Sequence, residues 1–360
     1  MRSPFETRLD RSLFLNSGSI WRDFDGEWTV LVQSIEYDSL SGCWLMIECG
    51  SPISEANYST TRDSMASTAL FPPQIEAHRK LIEDALQRYC DFDSGCPEHL
   101  AEAIRYCLLA PGKRIRPLLT LAASEVCGGD LTAAIPAACA VEMIHNYSLI
   151  HDDLPAMDDD HLRRGRPTCH IQFDEATAIL AGDALIPMAF ETIAREVNPS
   201  EIALECSRLL AVASGPSNLV GGQADDLGCE FGARDRVMLE KIHSRKTGAL
   251  LTVSLELGAV TAQASTEDRQ SLVNYGKHLG LAFQIVDDLL DFRGSQTKMG
   301  KRTGKDADRG KLTYPSVLGE AESESFLNEI TDKAIAAIEP FGDTAKPLEL
   351  LARFVVSRTQ

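Results

Sequence analysis

The sequence predicts an all-α protein, a large single-domain helical bundle that carries its site around a central cavity. Three observations predict it. From about Phe71 onward, apolar residues recur at i, i+3, i+4 and i+7 in Ala- and Leu-rich segments. Short Gly, Pro or Asp breaks separate these segments, and no comparable series of alternating strands competes with them. At 360 residues, with 44% hydrophobic and 24% charged residues, the chain can bury a sizeable core.

Residues 1–64 differ in texture from the rest. They hold all three tryptophans (Trp21, Trp28, Trp44), no lysine, and five arginines against ten acids. That acid content is wrong for a transit peptide, and no basic-then-apolar signal order is present. The stretch 28–37 has strand-like character. The region reads as an accessory or disordered extension, with Met65 as an alternative start, ahead of a 65–360 domain.

Downstream, the periodicity predicts helices over 74–89, 131–154, 175–196, 201–213, 236–260 and 267–292, within a bundle of ten or so. Several are apolar around most of their circumference, which calls for a thick core or a buried subunit contact. No run reaches the roughly 18 consecutive apolar residues of a membrane span, so no stable membrane insertion is expected. Ten cysteines lie without a CxxC pair, which indicates free thiols and a cytoplasmic setting. Lys plus Arg number 35 against 53 Asp plus Glu, a net charge of -18, so nucleic acid is excluded as a partner. An anionic partner needs a local basic cluster or a bridging metal.

The 131–154 helix ends in His151-Asp152-Asp153-Leu154-Pro155-Ala156-Met157-Asp158-Asp159-Asp160, five carboxylates in nine positions. The 267–292 helix ends in Asp287-Asp288-Leu289-Leu290-Asp291. There Asp287 and Asp291 share a helical face and Asp288 lies about 100° round. One such cluster alone leaves the solvated-face reading open, whereas two that each end an apolar helix call for cations between the carboxylates. All-oxygen donors suit Mg2+ or Mn2+, which keep waters and complete their shell with phosphate oxygens. Candidate direct cations flank these clusters: Lys113, Arg114 and Arg116; Arg163 and Arg164; Arg245 and Lys246; and Lys298, Lys301, Arg302, Lys305 and Lys311.

Residues 112–117 (GKRIRP), 145–170 (HNYSLIHDDLPAMDDDHLRRGRPTCH), 245–248 (RKTG), 283–291 (FQIVDDLLD) and 300–315 (GKRTGKDADRGKLTYP) resemble the trans-isoprenyl diphosphate synthases of the bacterial farnesyl type. The resemblance runs from about residue 70 to the C-terminus and omits residues 1–64. It implies the isoprenoid synthase fold, a homodimer, and head-to-tail joining of isopentenyl diphosphate to an allylic diphosphate through an allylic carbocation. By motif position, Asp152, Asp158 and Asp287 would hold Mg2+ on the allylic diphosphate, with Asp153, Asp288 and Asp291 in support. Pro155 interrupts the first helix, so helix geometry leaves Asp158 and Asp159 both open as the ligand. Arg163, Lys246 and Lys301 would clamp the allylic diphosphate, with Lys311 as a further phosphate-side lysine. Lys113, Arg116, His145 and Arg164 would hold isopentenyl diphosphate. Thr247 and Gln284 would present oxygen dipoles to the cationic carbons.

No protein nucleophile is needed, because in the family the departing diphosphate takes the final proton. Tyr147 and Ser148 stand five and four residues before Asp152; the former lies about 7.5 Å deeper along the helix, near one prenyl unit. A bulky aromatic there, with the two-residue insertion in 154–157, goes with a fifteen-carbon product in the family. His161 stands where the family often has another Asp. The competing readings are a geranylgeranyl diphosphate synthase, a class I terpene cyclase and an inactive regulatory subunit.

Overall fold

The computed structural model describes the backbone of residues 19–22, 28–31, 73–228, 236–298 and 313–357, and side chains within 73–228, 236–294 and 313–356. The chain falls into two compact units, Met1–Thr68 and Ala69–Gln360. In the first, β1 (Ser19–Arg22) pairs antiparallel with β2 (Trp28–Leu31), Ile20 opposite Val30. β2 falls within the strand-like stretch. Most of residues 1–64, and with it the reading of that region as an extension, lies outside the described residues.

The second unit is helical. Its elements are α1 (Pro73–Tyr89), α2 (Glu98–Leu108), α3 (Ile115–Val126), α4 (Leu131–Asp152), a short hairpin of β3 (Leu162–Arg163) and β4 (Arg166–Pro167), α5 (Cys169–Gln172), α6 (Glu175–Glu196), α7 (Ser200–Ser214), α8 (Leu219–Gly228), α9 (Arg236–His243), α10 (Ala249–Thr261), α11 (Thr266–Lys298), α12 (Tyr314–Leu318), α13 (Glu320–Ile338) and α14 (Lys346–Ser357). α4 and α10 are the inner helices. α4 packs against α3, α6 and α10, and α10 against α3, α7 and α11. Both are apolar on nearly every side because neighbours surround them. A smaller core joins α9, α11, α12 and α13 through Leu239, Ile285, Val286, Leu289, Tyr314 and Leu327.

Two expectations are corrected. The single helix expected over 236–260 is three pieces, α9, a π-helical turn (Ser244–Gly248) and α10. Periodicity does not register a one-residue widening of a helix that stays continuous. The helix expected over 267–292 runs on to Lys298, so the Asp287–Asp291 cluster lies inside α11 and not at its end. α6 has the length and mean hydropathy of a membrane-crossing helix, 1.4 over an 18-residue stretch, and packs on α4.

The α2–α3 connection is held by one buried arginine. Arg114 takes φ 50°, an uncommon backbone for a non-glycine residue, and is 3% exposed. Its guanidinium donates to Glu142 on α4 at 2.8 Å, to Glu83 on α1 at 2.9 Å, and to the carbonyls of Leu108 and Ala110 at 2.9 Å each. Arg114→Met strands the buried Glu142 carboxylate, which costs about 3–5 kcal/mol. A lowered urea midpoint checks this; an unchanged midpoint would contradict it.

Candidate active site

The end of α4 folds back on itself. The Asp158 amide donates to the Asp152 carbonyl at 2.9 Å and the Asp160 amide to the Asp153 carbonyl at 3.2 Å, with φ 51° at Asp159. Thr168 closes the loop from the β4 side, its hydroxyl donating to the Asp160 carbonyl at 2.7 Å. This return brings Asp158 back to Asp152. The Asp159 carboxylate stands 3.9 Å from the exposed His161 imidazole instead. Burial, with Asp158 and Asp153 nearby, pushes the Asp152 carboxyl up to about 6, against a pull downward from Lys246 and Arg163.

Neighbouring acids do different work. Asp153 is buried and turns both oxygens to Arg163, which donates to them at 2.6–2.9 Å. Asp288, also buried, accepts from the Tyr314 amide at 2.8 Å and lies 3.9 Å from His243 Nε2. These two expected metal-supporting residues therefore order the β3–β4 hairpin and the start of α12. Asp287 stands within electrostatic reach of Arg116, and Asp291 is exposed.

On the cationic side, Arg116 has a buried Nε with no protein partner among the described residues. Burial pulls its guanidinium down to about 10, with Arg164 adding repulsion and Glu142 and Asp287 opposing it. His145 is held well below the usual imidazole range, first by burial and then by Arg116, Arg164, Arg163 and Arg114. It is a neutral donor or acceptor in an arginine cluster. Arg164, at φ 53°, donates to the Pro111 carbonyl at 3.0 Å and so reaches the loop that carries Lys113. Lys113 Nζ stands 5.4 Å over the Phe354 ring.

The π-helical turn presents Lys246 and Thr247. Lys246 pairs with Asp226 of α8 at 2.7 Å, and Arg245 with Asp225 at 2.8 Å. The Thr247 hydroxyl donates to Gln284 Oε1 of α11 at 2.5 Å. α8 approaches this turn so closely that a Cβ at Gly222 would lie 2.3 Å from the Lys246 amide nitrogen, so only glycine fits. Gln223 beside it is buried, its amide nitrogen and oxygen both without partners among the described residues.

The segment Gly222-Gln223-Ala224-Asp225-Asp226 is absent from the expected site. Its signal was present in two adjacent acids after a Gly-Gly-Gln run, although nothing in the spacing tied them to Lys246 twenty residues on. Lys301 and Lys311 lie outside the described residues. Tyr147 is buried at 8% exposure, and the Ser148 hydroxyl is turned to the His145 carbonyl at 2.9 Å.

Among the described residues no three His, Cys, Asp or Glu side chains already converge as a metal cage. The donor set nonetheless fits a hard divalent cation. Burial first, and then the charge of Asp158, raises the Asp152 pKa, and a positive ion beside the two carboxylates would relieve both.

A family profile described as "Polyprenyl synthetase" matches residues 97–341. The chain is 44% identical over 284 residues to a geranylgeranyl diphosphate synthase of Cyanophora paradoxa, covering 78% of this chain and 94% of the relative. It is 46% identical over 264 residues to a farnesyl diphosphate synthase of Haemophilus influenzae, covering 72% and 88%. The crystal structure of an FPP/GFPP synthase from Zymomonas mobilis superposes with a TM-score of 0.71 at 38% identity, covering 79% and 97%.

The electrostatics of the α4 end make a directional prediction. In the metal-free chain the Asp152 carboxyl titrates near 6. Asp158→Asn removes a like charge and lowers that midpoint, while Lys246→Ala removes an opposite charge and raises it. Because the folded value exceeds the ordinary 3.8, this group costs stability as pH rises from about 4 to 6. Carboxyl 13C NMR titration reads all three chains, and a midpoint unmoved in both variants would contradict the assignment.

Proposed function

Because the chain belongs to the polyprenyl synthetase family and is a trans-prenyltransferase that elongates prenyl chains, we propose that its product is farnesyl diphosphate. It joins isopentenyl diphosphate head to tail to dimethylallyl or geranyl diphosphate and releases inorganic diphosphate. The observation that carries the fifteen-carbon product is Tyr147, a buried aromatic on α4 about 7.5 Å below Asp152. It supports a floor that stops the chain at three prenyl units. Relatives bearing both farnesyl and geranylgeranyl names match this chain, so geranylgeranyl diphosphate is the second reading.

In this reading Asp152, Asp158 and Asp287 hold Mg2+, with Mn2+ as a substitute, and Asp291 lies on the same helical face as Asp287. When bound, the ions supply positive charge to the departing diphosphate. The chain's own residues do the rest. Lys246, held in place by Asp226, faces the Asp152 end and takes up charge on the allylic diphosphate. Arg163 and the lysines Lys301 and Lys311 extend that clamp. Lys113, Arg116, Arg164 and neutral His145 bind isopentenyl diphosphate. Arg116 brings a guanidinium Nε that has no protein partner among the described residues, a donor available to a phosphate oxygen.

Thr247 and Gln284, locked to each other, turn oxygen dipoles toward carbon that becomes cationic. Holding the isopentenyl double bond beside that carbon supplies orientation. An apolar wall excludes water that would quench the cation. The released diphosphate takes the final proton.

The exposed Ile179 and Leu180 on the outer side of α6, with Ile171 and Leu162 nearby in sequence, support a homodimer. Every described cysteine is a free thiol, which fits a cytoplasmic setting.

A product assay on the full chain with Mg2+, isopentenyl diphosphate and either allylic starter tests this reading, with chains identified by mass. Farnesyl diphosphate is the expected product, and Asp152→Ala lowers kcat/KM by about a thousandfold or more. A mainly twenty-carbon product would overturn the fifteen-carbon reading, and full activity in Asp152→Ala would overturn the metal site.

A further inference from the structure

We infer that His151 is a positioning residue for chain length, holding the Tyr147 ring against α6 and so setting the depth at which the growing chain stops. The inference rests on the reading of Tyr147 as the floor.

His151 and Tyr147 are four residues apart on α4 and share one helical face. Their rings meet edge to face, with centroids 5.7 Å apart and planes at 82°. The far side of the imidazole is fixed to α6. His151 Nε2 lies 3.1 Å from the Ile179 carbonyl oxygen, and since a carbonyl only accepts, Nε2 carries the proton and donates. The seat for the ring exists because residue 182 is glycine. A Cβ there would lie 2.2 Å from His151 Nε2 and 2.5 Å from Cδ2. Asp183 Oδ1, on α6, stands 3.9 Å from the same nitrogen.

The imidazole is thus a wedge between α4 and α6. It is anchored by a backbone carbonyl that no side-chain substitution elsewhere can remove, and it presents its edge contact to the ring one turn deeper. With the wedge gone, Tyr147 loses that ring partner and can leave the rotamer that closes the floor. Asp152, next in sequence but about 100° round the helix, faces the acid cluster, so the wedge and the metal-side carboxylate are separate functions of adjacent residues.

The test is the product chain-length distribution of the full chain from geranyl diphosphate and isopentenyl diphosphate. It is read by mass for the unaltered chain, Tyr147→Ala, His151→Ala, His151→Gln and Gly182→Ala. His151→Ala is expected to raise the share of products longer than fifteen carbons by about tenfold. His151→Gln, whose amide can still donate to the Ile179 carbonyl, restores the short product. Gly182→Ala pushes the imidazole off its seat and lengthens products as His151→Ala does, so it carries the test if His151→Ala fails to fold. If Tyr147→Ala lengthens products while His151→Ala and Gly182→Ala do not, the positioning inference is overturned and the floor stands. If Tyr147→Ala leaves product length unchanged, the floor reading falls and the inference falls with it.

Discussion

Carboxylates gathered on largely apolar helices repel one another, and burial makes the repulsion stronger because less water screens it. That constraint organises the α4 end. The loop after α4 doubles back so that Asp158 rejoins Asp152, and burial and these neighbours drive the Asp152 carboxyl to about 6. Folding would avoid such an arrangement unless positive charge met it. Lys246 and Arg163 supply part of that charge from the protein. The proposed metal ions supply the rest, and they give an acidic chain a means of gripping an anionic substrate.

Around this centre, neighbouring residues of like chemistry divide into those proposed to act on ligand and those that hold the frame. Arg114 is bonded to Glu83, Glu142 and two carbonyls, whereas Arg116 two residues on keeps a donor without a protein partner among the described residues. Asp152 belongs to the repelling cluster, while Asp153 holds Arg163 and thereby the hairpin. Asp288 anchors the start of α12, one helical step from Asp287. Of the framing ion pairs, Arg114–Glu142 is buried on both sides and is supported by further hydrogen bonds to Arg114, the condition under which such a pair specifies position at tolerable desolvation cost.

The longer helices are legible because apolar periodicity survives in a segment that has a buried side, and the range 175–196 expected for α6 is the one it occupies. Both acid clusters are legible because two concentrations of charge on otherwise apolar segments are not explained as solvated faces, although only the first lies at a helix end. The direction of adjacent side chains is not legible. Asp153 and Asp288 read like their neighbours, and only the return of the chain after Pro155 and the packing of α12 decide where they point. The partnership of Asp226 with Lys246 escaped for a related reason. It joins two helices across a close approach at Gly222, which spacing cannot express. The π-helical turn at Ser244–Gly248 was invisible as well, although it orients Lys246 and Thr247.

The central claim is that divalent cations between the two acid clusters let this acidic chain hold a diphosphate. Equilibrium binding of a non-hydrolysable geranyl diphosphate analogue, measured calorimetrically with and without Mg2+, tests it most directly. The account predicts tight binding only with Mg2+, and its loss when Asp152 and Asp287 are both changed to Ala. Equal affinity in the presence and absence of Mg2+ would contradict it and assign diphosphate recognition to the arginines and lysines alone.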